Sequence, residues 1–243
     1  MIRLLSCYLV VSGIAIGCGS KNLFDCNGGL AQSRCSERTK LEDARVALDD
    51  GDLTTAITLL EELKSEEPTH YEHYPLLAAA YAGRSGLDIL KIVTANFSGE
   101  STMLEILEDI VPTPTNLGAL YDASLGDMDA ANQTLLAIPA ERRSSTSGDR
   151  YAASAVLQLT LYQSAYAVMY LNKFTYGASG YDPSLLSTMT PADAAVVLNA
   201  LILAGSAGGG AAGSMAQSSI AAIQAQPGAN DAEKLAAWSQ AAR

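Results

Sequence analysis

The chain has 243 residues, 49% apolar and 17% charged, with a net charge of −11. That length makes one or two domains and is ample for a buried core, so disorder is not the default expectation. The acidic balance argues against nucleic acid and against charge-driven binding to anionic lipid; it fits solubility or, alternatively, a basic partner. Much of the apolar content is Ala, with only three Phe and one Trp. Small side chains favour closely packed helices, and no alternating apolar–polar run persists, so the expected class is all-α.

Residues 1–18 read MIRLLSCYLVVSGIAIGC. Arg3 precedes a mostly apolar run from Leu4 to Ile16, which is short of the about 20 residues a bilayer span needs and fits a signal peptide over 1–17. Ala15-Ile16-Gly17-Cys18 resembles the lipobox of bacterial lipoproteins, with Ala15 where that family usually has Leu. The resemblance implies that Cys18 is lipidated and becomes the mature N-terminus. Several acyl chains, at about 0.8 kcal/mol per buried methylene, would make attachment effectively permanent. A plain secretory signal and an uncleaved anchor are the alternatives. Ser20 and Lys21 fit a polar tether over 18–37. Gly19 is not the Asp that resembles an inner-membrane retention signal, so the expected site is the outer membrane, facing the periplasm. Cys26 and Cys35 flank an Asn-Gly-Gly turn in FDCNGGLAQSRC. An exported chain lives where disulfides persist, and closing this loop would contribute roughly 3 kcal/mol in the chain-entropy model. Metal binding is the alternative, although no His lies nearby and two thiolates rarely suffice.

The first helix is expected over about 36–50, with Leu41, Ala44, Ala47 and Leu48 inward and Gly51 ending it. The second carries Leu53, Ala56, Ile57, Leu60 and Leu63, with Glu61, Glu62 and Lys64 outward. Pro68 follows, and a third helix starts near His73 with Pro75 in its first turn. Leu87, Leu90, Ile92 and Val93 begin another, and Met103, Leu104, Ile106, Leu107 and Ile110 a further one, closed by Pro112 and Pro114. Gly51, Ala56, Leu60, Leu63 and Pro68 stand at steps of five, four, three and five; Tyr74, Leu77, Ala78 and Tyr81 follow. This pattern resembles a tetratricopeptide repeat, which implies helical hairpins that hold other proteins. Gly126, Ala131, Leu135 and Ile138 repeat the steps of five, four and three. Residues 38–140 are therefore expected to be a tetratricopeptide-like region, with a generic helical bundle as the alternative.

Residues 141–150 (ERRSSTSGDR) are polar and mark a boundary, after which 150–243 should form a C-terminal helical region packing on the first. A long helix over 151–173 places Tyr162, Tyr166 and Tyr170 on one face. That face could line a partner or ligand groove, or pack inside a helix interface. Residues 176–182 are expected to be a loop. Thr190 and Pro191 start a helix to about Leu203, apolar nearly all round and so expected to be buried. Residues 204–213 (AGSAGGGAAG) lack the Lys-Ser/Thr ending of a phosphate loop and suggest a flexible connector. Helices near 214–225 and 230–242 finish the chain.

Little in the sequence points to chemistry. His70 and His73, the only histidines, could form a weak metal pair with Glu72, but no third ligand is marked and a polar turn explains them. Glu105, Glu108 and Asp109 read as a solvated helix face, and no hydrolase, zinc-protease or nucleotide motif occurs. No catalytic residue, cofactor or metal is expected. The leading function is a non-enzymatic, lipid-anchored scaffold for an unknown envelope protein. The layout is also similar to a lipoprotein family associated with TRAP-type transporters, which implies a ligand-binding accessory protein of a transport system. An enzyme, the third class, would need a cleft gathering His70 or His73 with carboxylates.

Overall fold

A computed structural model of the chain describes residues 32–88, 91, 102–144, 146–177, 179–207 and 210–242. The first hairpin joins α1 (Gln32–Asp49) to α2 (Leu53–Glu66). Gly51 makes the turn at φ +76°, a conformation costing an L-residue roughly 1–2 kcal/mol. Asp52 then caps α2, its carboxylate accepting the Thr55 N–H at 3.1 Å. Ala56, Ile57, Leu60 and Leu63 form the buried stripe of α2, as their spacing predicts. Past Pro68, a single tight turn at Tyr71–His73 leads into α3 (Tyr74–Arg84), with Pro75 in its first turn.

The chain continues through α4 (Met103–Glu108), α5 (Pro114–Leu117), α6 (Tyr121–Leu136), α7 (Ala140–Arg143) and α8 (Ala152–Asn172). A two-stranded antiparallel ladder follows, β1 (Tyr176–Gly177) on β2 (Gly180–Tyr181), pairing Tyr176 with Tyr181. Then come α9 (Pro191–Ala207), α10 (Ala211–Gln224) and α11 (Asp231–Ala241). Among the described residues this is an all-α protein with one minute sheet. The later helix starts are chemically marked. Thr102 and Glu105 form a reciprocal capping box on α4, Thr190 accepts the Asp193 N–H at 3.2 Å, and Asn230 accepts the Glu233 N–H at 3.0 Å.

Each long helix packs on the next: α1 on α2, α2 on α3, α3 on α6, α6 on α8, α8 on α9, and α9 on both α10 and α11. Among the described residues two apolar cores result. The smaller joins Ala44 and Ala47 of α1, the α2 stripe, and Leu77 and Ala80 of α3. The larger takes the other side of α3, Tyr74, Ala78 and Ala82, and runs through α6 and α8 to Trp238 of α11. Polar ties hold the seams. Arg84 forks onto Asp127 at 2.8 and 2.6 Å, and the Ser124 hydroxyl donates to the Ser85 carbonyl, joining α3 to α6. The buried Tyr121 hydroxyl donates to the Met169 carbonyl at 2.6 Å, joining α6 to α8.

Several expectations are corrected. Gly126 lies inside α6 and makes no turn, so only the apolar half of the second pattern is repeated. Residues 141–150 lie between helices that share the larger core. They hold α7 and an Arg142–Asp149 ion pair at 2.9 Å, while the larger core passes beneath them from α6 into α8. Residues 176–182 include the β1–β2 ladder, where a plain loop was expected. In 204–213 the expected connector is mostly helix. Gly205, near the end of α9, lets α10 approach until the Gln217 side-chain amide donates to its carbonyl at 2.9 Å. The helix-forming run through Leu90, Ile92 and Val93 lies outside the described residues. No described helix is long and apolar enough to cross a membrane.

Candidate interaction surface

Helix α9 is apolar nearly all round, yet it is not buried all round. Neighbours α8, α10 and α11 cover much of it, leaving Ile202 49% and Leu203 38% exposed. Leu157 of α8 is 56% exposed. Leu157 and Leu203 stand on the walls of a groove of about 730 Å³. The end of α6, α7, the first turns of α8 and the last turn of α9 frame it. Val156 and Leu136 add apolar surface, and buried Leu159 contributes from α8.

Arg143 is the one charged residue in the lining. Its Nε–H donates to the Ile138 carbonyl at 2.9 Å, which satisfies a backbone group beyond the end of α6. Burial draws its pKa below the ordinary arginine value, against the opposing field of Glu141. No carboxylate pairs with it among the described residues, whereas neighbouring Arg142 is paired with Asp149. Two serines complete the polar lining. Ser144 shares a hydrogen bond with Thr146 at 2.7 Å, and Ser206 donates to the Leu203 carbonyl at 3.1 Å.

A second cleft, about 780 Å³, opens between α4, the β1–β2 ladder and α11. Glu105, Glu108 and Asp109, expected as a solvated face, line one side, and Tyr176 and Tyr181 the other. The two rings meet edge to face at 5.8 Å. Glu105 is already used in the α4 capping box. Among the described residues no three metal-ligating side chains converge.

The tyrosine face divides. Tyr162 is 3% exposed and fills the larger core, so burial pushes its phenol pKa up and it cannot meet a partner. Of the two readings of that face, Tyr162 takes the packed one. Tyr166 and Tyr170 are half-buried, 6.0 Å apart, and the Tyr170 hydroxyl donates to Asp193 at 3.0 Å, locking α8 to the start of α9. They form part of a helix seam, and none of the three lines the clefts described above. His70 pairs with Glu67. His73 is buried against Tyr74 with no hydrogen-bond partner on Nε2, and burial lowers its pKa below the ordinary histidine value. Cys18 and Cys26 lie outside the described residues; Cys35 falls within α1, but its side chain does not lie within the described part.

The groove combines what sequence reading overlooked. Arg143 was hidden in a stretch marked only as polar, Leu157 carried no signal of its own, and Leu203 ended a helix expected to be buried. Comparison with protein-family models, with curated proteins and with solved structures finds no match.

Proposed function

We propose that the chain is a non-enzymatic protein of the bacterial envelope, anchored by lipid on Cys18, whose packed helical hairpins hold a partner protein. The supporting observation is the groove between α8 and α9. Leu136, Val156, Leu157 and Leu203 share one solvent-open apolar wall, and contiguous apolar surface of this kind suits a partner that covers it. The tetratricopeptide-like spacing of the α2–α3 region accords with this role, because stacked hairpins serve as rigid platforms for other proteins. Crosslinking and affinity capture from membranes of the native host test it. The wild-type chain should capture a partner through residues near Leu157 and Leu203, and a Leu157→Glu, Leu203→Glu variant should lose it. Capture unaffected by that variant would reject the groove as the contact surface. A mature chain starting anywhere but at an acylated Cys18, read by mass spectrometry, would reject the anchor.

The second reading is a ligand-binding accessory lipoprotein of a transport system. Tyr162 fills the interior, so a cavity lined by the tyrosine face does not support it. What favours it is Arg143, without an ion-pair partner among the described residues, within an apolar lining, a combination better suited to a small molecule than to a broad protein surface.

A further inference from the structure

The groove holds a single charge, positive Arg143, on a chain whose net charge is −11. The guanidinium is fixed by its Nε–H bond to the Ile138 carbonyl, and its Nη groups have no partner among the described residues. That leaves one edge of the fork available for a bidentate oxyanion. Ser144 and Ser206 are engaged in local hydrogen bonds, so Arg143 is the principal polar anchor. The remaining wall is aliphatic. A peptide laid along such a wall would bring a donor and an acceptor per residue where few partners exist. A hydrocarbon chain brings none. The volume, about 730 Å³, falls in the range of small-molecule sites.

Resting on the second reading above, in which the groove takes a small molecule, we propose that it binds an aliphatic carboxylate. The carboxylate pairs with Arg143, and the hydrocarbon chain lies along Leu136, Val156, Leu157 and Leu203. Charge complementarity selects the headgroup, and the apolar walls select the tail.

The test uses the full chain in its own membranes and two photoactivatable probes, diazirine-bearing hexadecanoate and the matching primary alcohol. Labelled peptides are mapped by mass spectrometry. The carboxylate probe should label the segments holding Leu157 and Leu203 and be displaced by unlabelled hexadecanoate. Arg143→Gln should cut that labelling about tenfold, the loss of one charge-assisted interaction, while Arg143→Lys should keep most of it. The alcohol should label the groove weakly, and equally in wild type and Arg143→Gln. Thermal melts of both variants check that the fold is intact. The proposal is overturned if Arg143→Gln labels as wild type does, if the alcohol labels as strongly as the carboxylate, or if the well-folded Lys variant loses as much as Gln. Should hexadecanoate fail to label while a captured protein crosslinks at Leu157, the groove stands as a docking surface and the carboxylate is rejected. Failure of both rejects the groove itself.

Discussion

Gly51 and Gly126 each precede an alanine by five residues and aliphatic side chains by nine and twelve. In both segments those later residues are buried: Ala56, Leu60 and Leu63 in one, Ala131, Leu135 and Ile138 in the other. The glycines nevertheless do opposite things. Gly51, between Asp50 and Asp52, adopts a left-handed backbone and turns α1 into α2. Gly126, between the buried Leu125 and Asp127, stays helical, and an added Cβ there would meet nothing within 4 Å. An apolar stripe is read the same way wherever it occurs, because a helix has one period. What a glycine does depends on whether its neighbours can carry the helix through it. At Gly51 two aspartates and a side-chain cap favour stopping; at Gly126 Leu125 and Met128 are both core residues and favour continuing.

The comparison can be pressed first where both segments are alike. Leu60→Ala and Leu135→Ala should each cost about 2–5 kcal/mol in denaturant unfolding, since both side chains are fully buried. A single transition shifted by both variants would mean that the two cores unfold together. A melt split by Leu60→Ala alone would make the smaller core a separate unit.

The glycines should then differ in sign. Gly51→Ala should lose about 1 kcal/mol, because φ +76° is strained for alanine. Gly126→Ala should gain roughly 0.5–1 kcal/mol by stiffening an open helical position. Equal losses at both sites would mean that Gly126 is needed for something other than the helix.

A smaller effect tests the link between the segments. A double-mutant cycle on Arg84→Ala and Asp127→Ala should give a coupling of about 0.5 kcal/mol, limited by the solvent that reaches Arg84. Zero coupling would leave the α3–α6 seam to its apolar contacts and to Ser124.

The smallest effect belongs to acid. Burial lowers the His73 pKa, outweighing Glu72 and Glu67, which raise it, with His70 and Lys64 also lowering it. The unfolded chain therefore takes up a proton more readily than the folded one. The neutral histidine's contribution is fully present above the ordinary value of about 6.5 and falls as pH drops below it, towards the folded pKa. His73→Phe should flatten the fall in stability between neutral and mildly acidic pH. An unchanged pH profile would assign the slope elsewhere. Because both histidines lie on the α2–α3 side, the Gly126 segment should be indifferent over that range.

Much of the fold was legible in the sequence. The stripe of α2, the Pro75 start of α3 and the Thr190 cap of α9 are local signals, and they survive whatever packs around them. The groove was not legible, for a physical reason. Its walls come from residues between 136 and 207, and no period in the sequence says how many neighbours a helix will find. An all-round apolar helix implies burial only when enough partners exist, and among the described residues Leu203 of α9 stays 38% exposed. Arg143 looked like any surface charge because the lack of an ion-pairing carboxylate among the described residues is a fact of three dimensions. Tyr162 shares the spacing of Tyr166 and Tyr170, but the helix passes deep enough there for its ring to join the core, and spacing alone does not carry that difference.

Helix α3 gives Leu77 and Ala80 to one core and Tyr74, Ala78 and Ala82 to the other. It is therefore a party wall, and a party wall cannot be opened from one side. Its amide protons can exchange with solvent only when packing on both faces has failed, so they should report the free energy of opening the whole molecule. Helix α1, with only Ala44 and Ala47 buried along 39–50, sets no such condition and can fray alone. Motion at the start of α1 should accordingly die out at α2 and leave the groove at α8 and α9 undisturbed.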